Sequence, residues 1–282
     1  MVDVVYRFGG DVEPPPRPAT GGQARRLLEQ GNAAFVELFD PAAAQDTPHV
    51  VTVAAGDMQL RDGAGILAHE PFAAVLGCAD ARVPIELLFG RAINDLFVLR
   101  VAGNVLGSEV IGSLDYALAN LPTIRLVVVL GHSSCGAVTA AVQAYLDPAS
   151  YLSLSAEHQL RAIVDQLFPA VRLSHAALLR VHGDDVADHA AFVPALVEVA
   201  VAVNAAIMAS SLRSELASYG LDEVVPAFGV YDLGTHRVGV SADVPGGGTR
   251  AGLFAPPADA QGFRDLADDL VRGPVVRELL LV

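Results

Sequence analysis

Three short stretches of this chain are apolar at nearly every position: Phe72 to Gly77, Leu96 to Val101 and Leu126 to Leu130. Unbroken apolar runs of that length, rich in β-branched residues, predict strands buried on both faces, as in a parallel sheet. Other segments repeat their apolar residues at helical spacing. From Gln23 to Phe39 these are Ala24, Leu27, Leu28, Ala34, Phe35 and Leu38; after Ser108 they are Val110, Ile111, Leu114, Ala117, Leu118 and Leu121, stopped by Pro122. Further helices are predicted over Ile85 to Phe89, Ser155 to Phe168, Ala170 to His182 before Gly183, and Asp188 to Tyr219 before Gly220. The alternation of strands and helices gives an α/β class with a mostly parallel central sheet flanked by helices. Val224 to Tyr231 and His236 to Ser241, joined at Leu233-Gly234-Thr235, read as a hairpin that adds an antiparallel edge strand.

The outer parts are less regular. His49 to Ala54 reads as a strand, Ile66 to Ala68 as a turn of helix, and Phe263 to Val271 as a final helix followed by an apolar tail, Leu279 to Val282. Pro14, Pro15, Pro16 and Pro18 give residues 1–22 the character of an extended arm. Residues 23–245 then form the α/β domain, with a helical insertion at about 147–188, and 246–282 form a peripheral C-terminal extension. Pro245-Gly246-Gly247-Gly248 is a loop without the Lys-Ser/Thr ending of a phosphate cradle.

Composition narrows the function. With 52% hydrophobic and 18% charged residues, 282 residues have ample material for a core. A net charge of -14 speaks against a nucleic-acid partner, whose phosphates are met by Lys and Arg. Ala190 to Ala209 has the length of a membrane span, but Pro194, Glu198 and Asn204 interrupt it, and a buried helix is expected instead. The start of the chain lacks a continuous apolar segment and carries Asp3 and Arg7, so no secretory signal is expected and a cytoplasmic location is.

The candidate chemistry lies at the ends of two of the apolar runs. Gly77-Cys78-Ala79-Asp80-Ala81-Arg82 follows the first, and Gly131-His132-Ser133-Ser134-Cys135-Gly136 follows the third. Both cysteines of the chain stand there beside other ligand types, which reads as a zinc site with Cys78, Asp80, His132 and Cys135 as candidate ligands. A single disulfide would be a weak framework for a chain this long. Strand ends of an open α/β sheet are where such sites assemble. A cysteine at the start of a helix sees the positive end of its dipole, which favours the thiolate. His175, His182 and His189 recur every seven residues, two helical turns apart, and read as structural or exposed rather than as ligands.

These residues resemble the β-class carbonic anhydrase family. Cys-Ala-Asp-Ala-Arg at Cys78 to Arg82 resembles its Cys-X-Asp-X-Arg motif, and His132 to Cys135 its His-X-X-Cys motif; Leu96 to Asn104, Gly229 to Val238 and the segment at Gly31 extend the likeness from Leu27 to Ser241. The resemblance implies Zn²⁺ on Cys78, His132 and Cys135, with Asp80 either a fourth ligand or released to a pair with Arg82. It implies hydration of carbon dioxide to bicarbonate by a zinc hydroxide, with Asp80 and Arg82 as a catalytic dyad, and a homodimer or larger assembly. His69, standing where many members have Gln, and Gly103 are the implied substrate contacts. Related proteins act instead on carbonyl sulfide or carbon disulfide, and a closed, non-catalytic zinc module is the other alternative. Ala79 and Ala81 replace common serines. Val75 replaces the Trp of members regulated by a second bicarbonate, which speaks against that regulation although Arg100 and Tyr116 are present.

Overall fold

A computed structural model of the chain describes residues 4–9, 16–39, 49–54, 69–154, 158–242 and 250–281. Its elements, in order, are β1 (Val4–Gly9), α1 (Gly21–Glu37), β2 (His49–Ala54), β3 (Ala73–Gly77), α2 (Ile85–Leu88), β4 (Leu96–Arg100), α3 (Ser108–Asn120), β5 (Leu126–His132) and α4 (Gly136–Leu146). They continue with α5 (Pro148–Leu154), α6 (His158–His182), α7 (Phe192–Ser218), β6 (Val225–Tyr231), β7 (Val238–Val240), β8 (Arg250–Ala251), α8 (Ala260–Val271) and α9 (Pro274–Leu280).

The three apolar runs are the centre of the sheet. Its order is β4-β3-β5-β6-β7-β8, with the first four strands parallel and the last two antiparallel. β3 and β5 are buried at every position, as strands covered on both faces must be. One layer, carrying Leu28 and Phe35 of α1 with Ile85 and Leu88 of α2, covers Val75, Val128 and Leu130. The other, built from α3, α4, α6 and α7, covers Ala74, Leu76, Val127 and Val129. The alternation of faces along each strand divides the core in two.

Several expectations are corrected. The extended arm of residues 1–22 holds a strand, Val4–Gly9, that pairs in parallel with His49–Ala54 in a separate two-stranded sheet, and α1 already begins at Gly21. The two insertion helices are one, because α6 continues through Pro169. The C-terminal extension is not peripheral, since Ala267, Leu270, Val271 and Val276 are buried in the main core against α6 and α7, and its end is a helix rather than a tail. Ile66 to Ala68, Pro14, Pro15 and Pro245 to Gly248 fall outside the described residues. α7 is long and apolar enough to cross a membrane by composition, but 78% of its most apolar window is buried inside the protein.

Candidate metal centre

The parallel register of β3 and β5 sets Gly77 beside Leu130, so Cys78 and His132 emerge at the same carboxyl edge of the sheet. Cys135 must return to that edge within three residues. Ser134 makes the reversal with a φ of 55°, in the left-handed region, and Cys135 becomes the residue that caps α4. Neither serine caps that helix. Ser133 donates its amide to the Tyr231 carbonyl at 3.0 Å and accepts the Leu233 amide on Oγ at 2.9 Å, which ties the turn to the hairpin. Ser134 is held from α7 instead: the Glu198 carboxylate accepts its amide at 2.8 Å.

The ligand atoms of Cys78, His132 and Cys135, all buried, lie within 4.8 Å of one another. His132 Nδ1 faces the Ser133 carbonyl at 3.0 Å and donates to it, which leaves the Nε2 lone pair directed into the cluster. That Nε2 is buried and has no hydrogen-bond partner. A buried, unsatisfied imidazole nitrogen facing two sulfurs costs free energy unless a cation takes its lone pair. The donor set therefore fits Zn²⁺, with two soft sulfurs and one imidazole.

The electrostatics run the same way. Cys78 is pulled well below the ordinary thiol range, first by the Cys135 thiol donating to it, then by His132 and by the amides of Asp80 and Gly103, against the cost of burial. Cys135 is pushed up correspondingly, because the two sulfurs share one proton, while the amides of Val138 and Ala137 oppose the rise. Burial lowers the His132 pKa, yet the charge of the adjacent Cys78 thiolate, the Ser133 carbonyl and the Asp80 carboxylate raise it overall. Three groups that compete for protons in this way are poised to exchange them for a metal.

Asp80 stands beside the cluster but is turned onto Arg82. Arg82 Nε donates to Oδ1 at 2.9 Å and Nη2 to Oδ2 at 2.7 Å, and the Arg82 amide adds a third bond to Oδ1 at 2.9 Å. The side-chain bonds of Arg82 hold the Asp80 carboxyl well below the usual carboxylate range. Asp80 Oδ2 remains 3.9 Å from His132 Nε2. Gly103 is also at the site, in a left-handed turn with φ of 68°, where a Cβ would press on Ala137 at 3.2 Å. Arg100, named from sequence only in connection with a second bicarbonate, donates to the carbonyls of Cys78 and Asp80 and so braces the loop that carries them.

His69 is not brought to the cluster. It is exposed ahead of β3, tilted against Phe97 at 6.0 Å between ring centroids, whereas Cys78 follows that strand's other end. A strand of this length separates the two by roughly 17 Å within one chain.

The family described as carbonic anhydrase matches residues 73–232, more than half of the chain. Carbonic anhydrase 2 of Mycobacterium tuberculosis is 37% identical over 153 residues, which cover 53% of this chain and 64% of that protein. A carbonic anhydrase of Mycolicibacterium smegmatis is 43% identical over 110 residues, 39% of this chain and 50% of that one. The chain thus spans less than two thirds of either relative's length. The solved β-carbonic anhydrase CcaA matches 61% of this chain and 80% of its own at 25% identity, with a TM-score of 0.47.

Proposed function

The chain belongs to the β-class carbonic anhydrase family, and on that footing we propose that it is a zinc enzyme catalysing the reversible hydration of carbon dioxide to bicarbonate and a proton. The observation that carries the reading is the buried, unpartnered His132 Nε2 set against two sulfurs, beside a carboxylate held by Arg82. Cys78, His132 and Cys135 would hold the ion, which when bound supplies Lewis acidity and brings a water's pKa toward neutrality.

The rest is done by the chain's own groups. Arg82 keeps Asp80 ionised and turned toward itself, so the carboxylate accepts a hydrogen bond at the site instead of competing as a donor for the ion. Gly103 and Asp80 aim their amides at the Cys78 sulfur and stabilise its thiolate. The site sits at the edge of the sheet, where a small neutral substrate can enter beside Asp80, while the sulfurs and the imidazole lie buried behind it.

Stopped-flow hydration assays with metal analysis test this. One zinc per chain, with hydration lost on chelation and restored by zinc, supports it. Full zinc with sulfide release from carbonyl sulfide or carbon disulfide, and no hydration, moves the substrate; full zinc with neither activity makes the centre a non-catalytic module.

Assembly into a homodimer or larger oligomer belongs to the same proposal. It is supported by β4, an edge strand whose residues Leu96 to Leu99 are only half-buried in one chain, and light scattering of the full chain tests it. A cytoplasmic location is proposed because the ligand role needs both cysteines reduced; cell fractionation checks it.

A further inference from the structure

α7 carries two polar side chains, Glu198 and Asn204, within an otherwise apolar stretch of Ala, Val and Met. Asn204 is 1% exposed, and Glu198 is half-buried. A polar group in such surroundings is costly unless its partner repays the lost water. The partners are specific. Glu198 Oε1 accepts the Ser134 amide at 2.8 Å and the Ser134 hydroxyl at 3.4 Å, and Asn204 Nδ2 donates to the Gly103 carbonyl at 3.0 Å.

Both partners are turn residues in the left-handed region, each adjoining the donor set. Ser134 lies between His132 and Cys135 and is a non-glycine at a φ that L-residues disfavour, so an external bond has to hold it there. Gly103 presents its amide to the Cys78 sulfur and has little room to shift, with Ala137 and Leu167 close on the side a Cβ would occupy. One helix thus grips both turns from behind. Of the three residues that interrupt the membrane-span-like run, Pro194, Glu198 and Asn204, the two polar ones are those that do so.

We propose that Glu198 and Asn204 are positioning residues for the metal centre, Glu198 fixing the His132–Cys135 turn and Asn204 fixing the Gly103 turn against Cys78. The inference rests on the reading of Cys78, His132 and Cys135 as metal donors. Neither residue touches the ion: each acts through one backbone bond.

The test uses the full chain loaded with Co²⁺ or Zn²⁺ and reads two quantities, the rate of metal transfer to EDTA and the thiolate-to-cobalt absorption band. Glu198 borders a cavity of about 580 Å³, so Glu198→Ala leaves no sealed void and is expected to fold. It should release metal about tenfold faster than the parent and shift the band, as loss of a supporting bond to a ligand does. Glu198→Gln keeps an acceptor oxygen and should match the parent in both. Asn204→Asp, of the same size, replaces the donor with an oxygen facing a carbonyl and should behave like Glu198→Ala. Parental release rates and band in folded Glu198→Ala and Asn204→Asp, with only the melting temperature lowered, would overturn the proposal, as would Glu198→Gln behaving like Glu198→Ala. A parent protein that takes up no metal would instead overturn the metal-centre reading.

Discussion

Arg82 grips Asp80 through two parallel hydrogen bonds, of 2.9 and 2.7 Å, while the same carboxylate stands only 3.9 Å from Nε2 of His132. The guanidinium is the group that holds an anion away from three donors that would share a cation with it. Such two-pronged pairing is directional as well as strong, which a lysine cannot reproduce. Replacing Arg82 by Leu frees the carboxylate to move onto the ion. The variant should keep zinc and lose hydration by on the order of a hundredfold. Metal analysis beside stopped-flow rates checks this, and a variant as fast as the parent would remove Arg82 from the mechanism.

Asp80→Asn asks the complementary question. The amide keeps the shape but loses the charge and half of the acceptor capacity that Arg82 organises. Zinc content should be unchanged while turnover falls by about two to four orders of magnitude, the usual range for losing a positioned acid or base. Zinc lost in parallel with activity would make Asp80 a ligand first.

Cys78→Ser and Cys135→Ser should each lose the metal, because a hydroxyl is neither soft nor ionised at neutral pH and two donors remain. The expected result is less than a tenth of the parent's zinc after dialysis, by elemental analysis, and no hydration. Full zinc in either variant would exclude that sulfur from the donor set.

The sequence made the centre of this protein legible for a physical reason. Strands buried on both faces must be apolar throughout, so β3 and β5 stand out, and the residues that end them, Cys78 and His132, fall at one sheet edge by parallel register. What sequence could not show was contact between elements distant along the chain. Glu198 and Asn204 were visible as polar interruptions of an apolar helix, yet their partners Ser134 and Gly103 lie 64 and 101 residues away. His69 was offered by its likeness to the family's Gln position and not by any spacing rule, and within one chain the whole of β3 stands between it and Cys78. Pro169 misled because a proline costs a helix one hydrogen bond, which the packing of Val164, Leu167, Ala170 and Val171 in the core outweighs.

The C-terminal extension should prove integral to stability. Leu270 is 3% exposed, packed in the core that α6 and α7 share, and Arg180 of α6 pairs with Asp268 two residues before it. Leu270→Ala should lower unfolding free energy by about 2 to 5 kcal/mol. Denaturant titration of the metal-free chain measures it, and a loss under roughly half a kcal/mol would return this segment to the periphery.

Gly31 tests the opposite error, adding an atom where none fits. It lies on the buried face of α1, where the helix crosses the end of α2 so closely that a Cβ would fall 1.7 Å from the Phe89 carbonyl oxygen and 2.5 Å from its carbon. Mid-helix, alanine ordinarily stabilises relative to glycine by roughly 1 kcal/mol, so propensity alone predicts a gain from Gly31→Ala. The contact decides otherwise, because the obstacle is main chain and cannot rotate aside. The neighbouring Asn32 tightens the constraint, donating to the carbonyls of Leu88 and His236 at 3.3 and 3.0 Å and accepting the Val238 amide at 2.7 Å, so α1 cannot back away without breaking those bonds. Gly31→Ala should therefore destabilise by about 1 to 3 kcal/mol or more, read as a lowered denaturant midpoint. A raised midpoint would mean that α1 is not seated against Phe89 at all.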